Sequence, residues 1–218
     1  ITVDVTAMLE GIDGIDDPGS TPGPKDLEDV TELKEIPLRV TEAGGLPLTQ
    51  LDTTIQFAQP FALNVVDPKR MLIGTNYLYE SADQGDTLSA LGGVVERNGS
   101  FIPNARGNVG IVKAIAYGGF EDKNGNGSVT DRGDAQAEVA YVGTKSSLLL
   151  RPATGGRFQV LRTYEGGAVQ DIVLDPLNWK TAYVLDELGS VWRTTNAGAT
   201  KAGWTNLTGN LRSLSKDL

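Results

Sequence analysis

The 218-residue sequence contains no cysteine and no histidine. Without cysteine there are no disulfides and no thiolate chemistry, which fits either a cytoplasmic protein or an exported bacterial one that folds without cross-links. Without histidine the usual zinc ligand, the Ser-His-Asp triad and the commonest general base are missing, so hydrolysis would have to run on carboxylates, Tyr or Lys. No apolar run reaches the roughly 18 residues that span a bilayer, so membrane insertion is not expected. Basic residues are in deficit, 19 against 28 acidic ones, and the net charge of −9 argues against nucleic acid and anionic membranes as partners. It is compatible with calcium. Heptads and long amphipathic helical patterns are missing too. The chain starts at Ile1 rather than Met, with no signal-peptide pattern, and is expected to be a processed or excised piece of a longer protein.

What the sequence does have is 27 glycines, 10 prolines and many short apolar runs, which together point to an all-β fold rich in turns. Residues 1–45 read as an acidic, Gly/Pro-rich N-terminal segment and linker. It holds one alternating strand at 1–5, and its Asp13, Asp16 and Asp17 read as solvated rather than metal-binding. Short strands are expected at 36–40 and 53–57, one of them available to complete a sheet built from distant sequence.

The stretch 61–88 is written twice. Apolar runs at 61–66, 71–75 and 77–81 are separated by Asp67-Pro68 and a short turn, and lead into Ser81-x-Asp83-x-Gly85-x-Thr87-Leu88. The same order returns as Asp175-Pro176, apolar runs at 182–185 and 191–194, and Thr194-x-Asn196-x-Gly198-x-Thr200. Asp67 and Asp175 lie 108 positions apart, which leaves room for one more copy at about 50 residues each, a period typical of propeller blades. Residues 140–144 and 148–151 supply strands of that middle copy. In the two clear copies an Asp or Asn side chain can accept from turn N–H groups while Gly takes the positive φ. Asp83 with Gly85, and Asn196 with Gly198, are therefore expected to staple hairpins rather than to catalyse.

These residues carry a resemblance. Asp-Pro, a strand ending in Gly-Thr, then Leu-Tyr-x-Ser-x-Asp-x-Gly-x-Thr is similar to the Asp-box, or bacterial neuraminidase repeat, β-propellers. That family includes sialidases, sortilin-type receptors, xyloglucanase-type glycoside hydrolases and a photosystem II assembly factor. Departures are Leu88 where the box usually ends in an aromatic, Trp204 arriving late in the last copy, and no clear box in the middle one. The resemblance implies a propeller over 46–218, with four-stranded blades near 46–92, 93–165 and 166–218. Propellers close with 4 to 8 blades, so three imply an incomplete ring that more blades of the same protein or other subunits would complete.

The middle copy carries an insertion at 118–138 containing Asp122-x-Asn124-x-Asn126-Gly127-Ser128. Calcium takes six to eight oxygens, alternate residues of a tight loop can aim side chains at one centre, and Gly gives the sharp turn. Asp122, Asn124 and Asn126 are the expected side-chain ligands, with the Ser128 carbonyl next; the alternative reading is an unliganded Asn-Gly turn. Gly133 stands where an EF-hand has Glu, so Asp131 or Asp134 completes the shell. The expected Kd is on the order of 10⁻⁴ to 10⁻³ M, matched to extracellular calcium. That places the protein at a bacterial surface or in secretion, with the ion structural.

Trp192 and Trp204 read as core, whereas Trp179, just after an Asp-Pro turn, is the candidate ligand contact for a carbohydrate or protein. Arg70, Arg106 and Arg193 lack the sialidase Phe-Arg-Ile-Pro signature. A glycosidase would need two facing carboxylates, about 6.5–9.5 Å apart for inversion, and no catalytic residue can be assigned. The function expected is an extracellular binding or scaffold propeller with structural calcium, more in keeping with a non-enzyme. The alternative is a fragment of an Asp-box glycoside hydrolase acting on polysaccharide.

Overall fold

The computed structural model describes residues 36–209. The strand expected at 1–5 and the carboxylates Asp13, Asp16 and Asp17 lie outside the described residues. The fold is all-β: three four-stranded antiparallel sheets, each built from consecutive strands, stand side by side in an arc with no closed ring.

Two short strands, β1 (Arg39–Val40) and β2 (Leu46–Pro47), and a single helical turn, α1 (Leu48–Leu51), form a cap. Sheet A follows as β3 (Phe61–Leu63), β4 (Met71–Gly74), β5 (Leu78–Ser81) and β6 (Ser89–Ala90). A separate ribbon, β7 (Val94–Arg97) with β8 (Ser100–Pro103), precedes sheet B. Sheet B runs β9 (Val112–Phe120), β10 (Ala135–Thr144), β11 (Leu148–Arg151), β12 (Gln159–Val160). Sheet C runs β13 (Val169–Leu174), β14 (Ala182–Asp186), β15 (Val191–Thr194), β16 (Trp204–Asn206). The first strands of the sheets converge, β9 packing against both β3 and β13.

Apolar side chains of both sheet faces go into three cores. Ile73, Tyr79 and Ala90 of sheet A meet Val40, Leu48 and Leu51 of the cap. The opposite face of sheet A, with Leu72 and Leu78, meets Tyr117, Ala140 and Val142. Tyr141, Leu148 and Leu150 of sheet B meet Val169, Ile172 and Val184 of sheet C. Each such fully buried side chain is worth about 1.5–3 kcal/mol relative to exposure. The outer face of sheet C has no such cover among the described residues: Val173 and Leu185 are 57% and 40% exposed.

Close approach depends on one repeated device. Gly74 ends β4 and Gly143 is the last residue but one of β10, and a Cβ there would lie 2.4 Å from Val112 Cγ1 and 2.2 Å from Val169 Cγ1. The branched first residue of each following sheet thus sits where a side chain would be. In sheet C the counterpart is Leu185, which faces outward.

Several local expectations change. Residues 53–57 form turns rather than a strand, because Asp52 folds the chain back by accepting from the Thr54 N–H and hydroxyl. Residues 36–45, assigned by composition to the linker, pack Val40 and Ala43 into a core, and 46–51 belong to the cap rather than to sheet A. The insertion is shorter than 118–138: β9 and β10 continue to Phe120 and from Ala135 through a bulged register, leaving 121–134 as the loop.

Candidate functional site

The two boxed turns share their hydroxyl-centred bonds and differ at the closing Thr, which donates to Asp83 in the first and accepts from Asn196 in the last. In the first, the Ser81 hydroxyl donates to Asp83 Oδ1 (2.7 Å) and accepts from Gly85 N–H (2.8 Å). Asp83 accepts from the Thr87 N–H (3.0 Å) and hydroxyl (2.6 Å). In the last, Thr194 donates to Asn196 Oδ1 (2.9 Å) and accepts from Gly198 N–H (2.9 Å), while Asn196 Nδ2 donates to Thr200 Oγ1 (3.2 Å). Gln84 and Ala197 donate their N–H groups to Lys69 and Lys180 carbonyls at 2.8 and 2.7 Å, so each box is seated on the turn after its Asp-Pro pair. Both have positive φ, 63° and 57°, a strain that pattern reading placed only at the glycines. Burial pushes the Asp83 carboxyl up, but the Thr87 hydroxyl and N–H outweigh it and hold the group below its ordinary value. Replacing Asp83 by alanine is expected to cost about 1–2 kcal/mol in urea unfolding, in line with other side-chain caps on orphan N–H groups.

The loop at 121–134 closes the β9–β10 hairpin, with Glu121 N–H donating to the Asp134 carbonyl across its neck at 2.9 Å. Asp122 is wrapped by backbone: Oδ1 accepts from Gly125 (2.7 Å) and Asn126 (3.2 Å), and Oδ2 from Gly127 (2.7 Å). Asn124 and Asn126 both donate their amide N–H to Asp131 Oδ2 at 2.7 Å. Asn126 Oδ1 accepts from the Ser128 N–H at 2.7 Å, and the Ser128 hydroxyl lies 2.9 Å from Thr130 Oγ1. Asp134 is 2% exposed. Its Oδ1 faces the Lys123 N–H at 3.5 Å, turning the carboxylate towards the loop, and its Oδ2 is buried with no hydrogen-bond partner.

Asn124, Asn126 and Asp131 are thus brought together, while Asp122 and Asp134 stand at the loop's first turn and at its neck. Among the described residues no group of three or more His, Cys, Asp or Glu converges as a metal cluster. Any cation here would rely on amide and main-chain oxygens beside the carboxylates. The hard oxygen character of that donor set fits calcium and not zinc.

Trp179 does not offer a face to solvent. It is 5% exposed in the core between sheets B and C, because its N–H donates to the Phe120 carbonyl (2.7 Å) and draws the ring inward. Trp192 and Trp204 are half-buried against the same core, on either side of Tyr164, with ring centroids 6.1 and 5.2 Å away.

A buried ion cluster joins sheets A and B, and pattern reading missed it. Glu80 accepts from Arg151 Nη2 (2.7 Å) and Nη1 (3.2 Å), from Arg70 Nη2 (3.0 Å), and from the Tyr117 hydroxyl. Arg70 also bridges to Glu138 (2.6 Å), and both guanidinium groups lie 5.5 Å from the Tyr117 ring centre. Burial would raise the Glu80 carboxyl, but the bonds from Arg151 and Tyr117 outweigh it and hold it below its ordinary value of 4.5. Burial and the Glu80 bond push the Tyr117 hydroxyl up to about 12. No sequence signal marks this cluster, since Glu80 and Arg151 are 71 positions apart.

No protein-family model matches the sequence, and no curated protein matches it significantly. Solved structures are similar, three of them as follows. YCF48 bound to D1 peptide matches at 16% identity with a TM-score of 0.46, over 72% of this chain and 42% of that one. YCF48 from Cyanidioschyzon merolae matches at 14% and 0.40, over 70% and 39%. An ancestral GH74 enzyme matches at 14% and 0.43, over 66% and 17%. The chain therefore spans less than half the length of each. The fold itself is all-β and propeller-like, with three four-stranded antiparallel sheets and no closed ring.

Proposed function

We propose that this chain is a binding or scaffold module of a larger propeller assembly, working outside the cytoplasm, in which calcium orders the 121–134 loop. The observation that carries the calcium reading is the neck of that loop. A buried carboxylate oxygen of Asp134 lacks a partner beside a turn already wound around Asp122, and leaving such a group uncompensated is costly. A cation held by Asp122, Asp131, Asp134 and the oxygens of Asn124, Asn126 and Ser128 would compensate it. The two Asn amides now present N–H to Asp131 while their oxygens accept from the Asn126 and Ser128 N–H groups, so presenting oxygen to an ion would require each amide to turn and exchange those bonds. A loop with three carboxylates suits Kd values of about 10⁻⁴ to 10⁻³ M, which only extracellular calcium saturates. The proposed ion orders the loop and performs no chemistry.

The scaffold reading draws on the fold: sheet C leaves Val173 and Leu185 open to a further sheet or subunit. The glycoside hydrolase alternative gains no support from the carboxylates that the fold gathers, since Glu80 and Glu138 are both engaged by guanidinium groups.

Calcium at about 10 mM is expected to raise the melting temperature by about 3–10 °C, from a binding stabilisation of roughly 1.4–2.7 kcal/mol. Excess chelator reverses it and Asp122→Ala removes it. Identical melting curves with calcium and with chelator would defeat the metal reading.

A further inference from the structure

Resting on that calcium reading, we propose that the same ion acts as a clasp between sheets B and C, so that calcium controls how firmly the third sheet is held to the second. The loop is not a free appendage of sheet B. Its first residues are paired to the turn that opens β14, at 175–181. Asp122 donates its N–H to the Leu177 carbonyl (2.9 Å), and Trp179 donates its N–H back to the Phe120 carbonyl (2.7 Å). Glu121 and Asn178 form an antiparallel bridge between these bonds. Outside them, the Lys180 ammonium bonds the Glu121 carboxylate and holds it below its ordinary range. Below them, Gly119 lets Trp179 approach so closely that a Cβ would stand 2.7 Å from the Trp179 Cβ.

Asp122 therefore faces two ways. Its carboxylate is wound into the loop by three backbone N–H groups, and its own N–H is spent on sheet C. Asp134, the buried carboxylate with the unpartnered oxygen, closes the other side of the same neck through its carbonyl and Glu121. A cation shared by Asp122 and Asp134 fixes both ends of the neck. Any opening that peels 175–181 from 120–122 must then distort a ligand of the ion. Binding and inter-sheet opening are linked, and the opening becomes rarer by the factor by which calcium occupies the site. Among the described residues no such loop lies against the Asp-Pro turn of sheet A.

Amide hydrogen exchange of the full chain with about 10 mM calcium or with chelator tests this. The expected result is exchange about 10- to 100-fold slower in two separated segments together, 121–134 and 175–181, with sheet A unchanged. In Asp122→Asn, which keeps the shape and an acceptor oxygen, both effects are lost at the same calcium concentration. Protection confined to 121–134 would overturn the clasp while leaving the metal site standing. No protection in either segment, with no heat of calcium binding, would overturn both. Should Asp122→Asn fail to fold, Lys180→Met on the outside of the junction serves instead. It retains every proposed ligand and is expected to bind calcium with the 175–181 protection reduced, whereas undiminished protection there would count against coupling through this junction.

Discussion

Gly143→Val is expected to be the most damaging single substitution in the protein, costing about 3 kcal/mol or more in urea or thermal unfolding. The new Cβ would lie 2.2 Å from Cγ1 and 2.5 Å from Cβ of Val169, with Ile172 Cδ1 a further 3.3 Å away. Val169 is fully buried and branches at the atom that would be struck, so no flexible chain end can swing aside. Either sheet C moves off sheet B or β10 bends, and both empty the core that holds Tyr141, Ile172 and Val184. Val169→Ala in the same chain should recover part of the loss, because it deletes the Cγ1 methyl at 2.2 Å while leaving the Cβ at 2.5 Å. The control is Leu185→Gly, the counterpart position in sheet C. Being on an open face it should cost only about 1 kcal/mol, the ordinary price of glycine in a strand. If Gly143→Val were as mild as that control, the nesting of sheet B on sheet C would be wrong.

The second large effect is expected at Arg151. Its side chain is 4% exposed and makes two bonds to Glu80 and one to the Glu138 carbonyl. Arg151→Met should cost about 3–5 kcal/mol, because it leaves Glu80 buried with Arg70 and Tyr117 alone. Adding Glu80→Gln should give back part of that loss, the coupling being the surplus of the two single costs over the double one. The pH dependence follows from the direction of the Glu80 shift. A carboxyl held below 4.5 when folded binds fewer protons than in the unfolded chain, so its stabilisation is complete above the unfolded value. It is lost as pH falls through the folded value. Wild type should therefore lose stability below about pH 4.5 more steeply than Glu80→Gln. Parallel curves for the two proteins would show that the pair contributes nothing to acid sensitivity.

The rim turns were legible because their chemistry is local. Ser81, Asp83, Gly85 and Thr87 satisfy one another within seven positions, and Thr194 to Thr200 does the same, so spacing alone carries the geometry. The tight turn at 122–127 was legible for the same reason, as Asp122 binds N–H groups three to five residues on. What could not be read depends on partners far apart in the chain. Trp179 follows an Asp-Pro turn in a pattern that normally means exposure, but the hairpin from sheet B covers it through a bond from position 179 to position 120. The strand expected at 36–40 is present at Arg39–Val40, but the rest of the cap was hidden because residues 41–52 lack strand periodicity. They are held instead by Leu88, whose N–H donates to the Arg39 carbonyl and whose carbonyl accepts from Thr41. Asp52 adds a second tie, accepting from the Thr75 and Tyr79 hydroxyls at 2.5 and 2.9 Å. Leu88 itself is fully buried and bridges to Val40 of the cap.

The account rests most heavily on the loop at 121–134 being a cation site within an open, three-sheet arc. A calcium titration of the ¹⁵N-labelled chain followed by amide shifts tests this directly. Saturable shifts are predicted for 121–134 and for the 175–181 turn, with a midpoint on the order of 10⁻⁴ to 10⁻³ M. A spectrum unmoved at about 10 mM calcium, or one that moves only at surface carboxylates elsewhere, would contradict it.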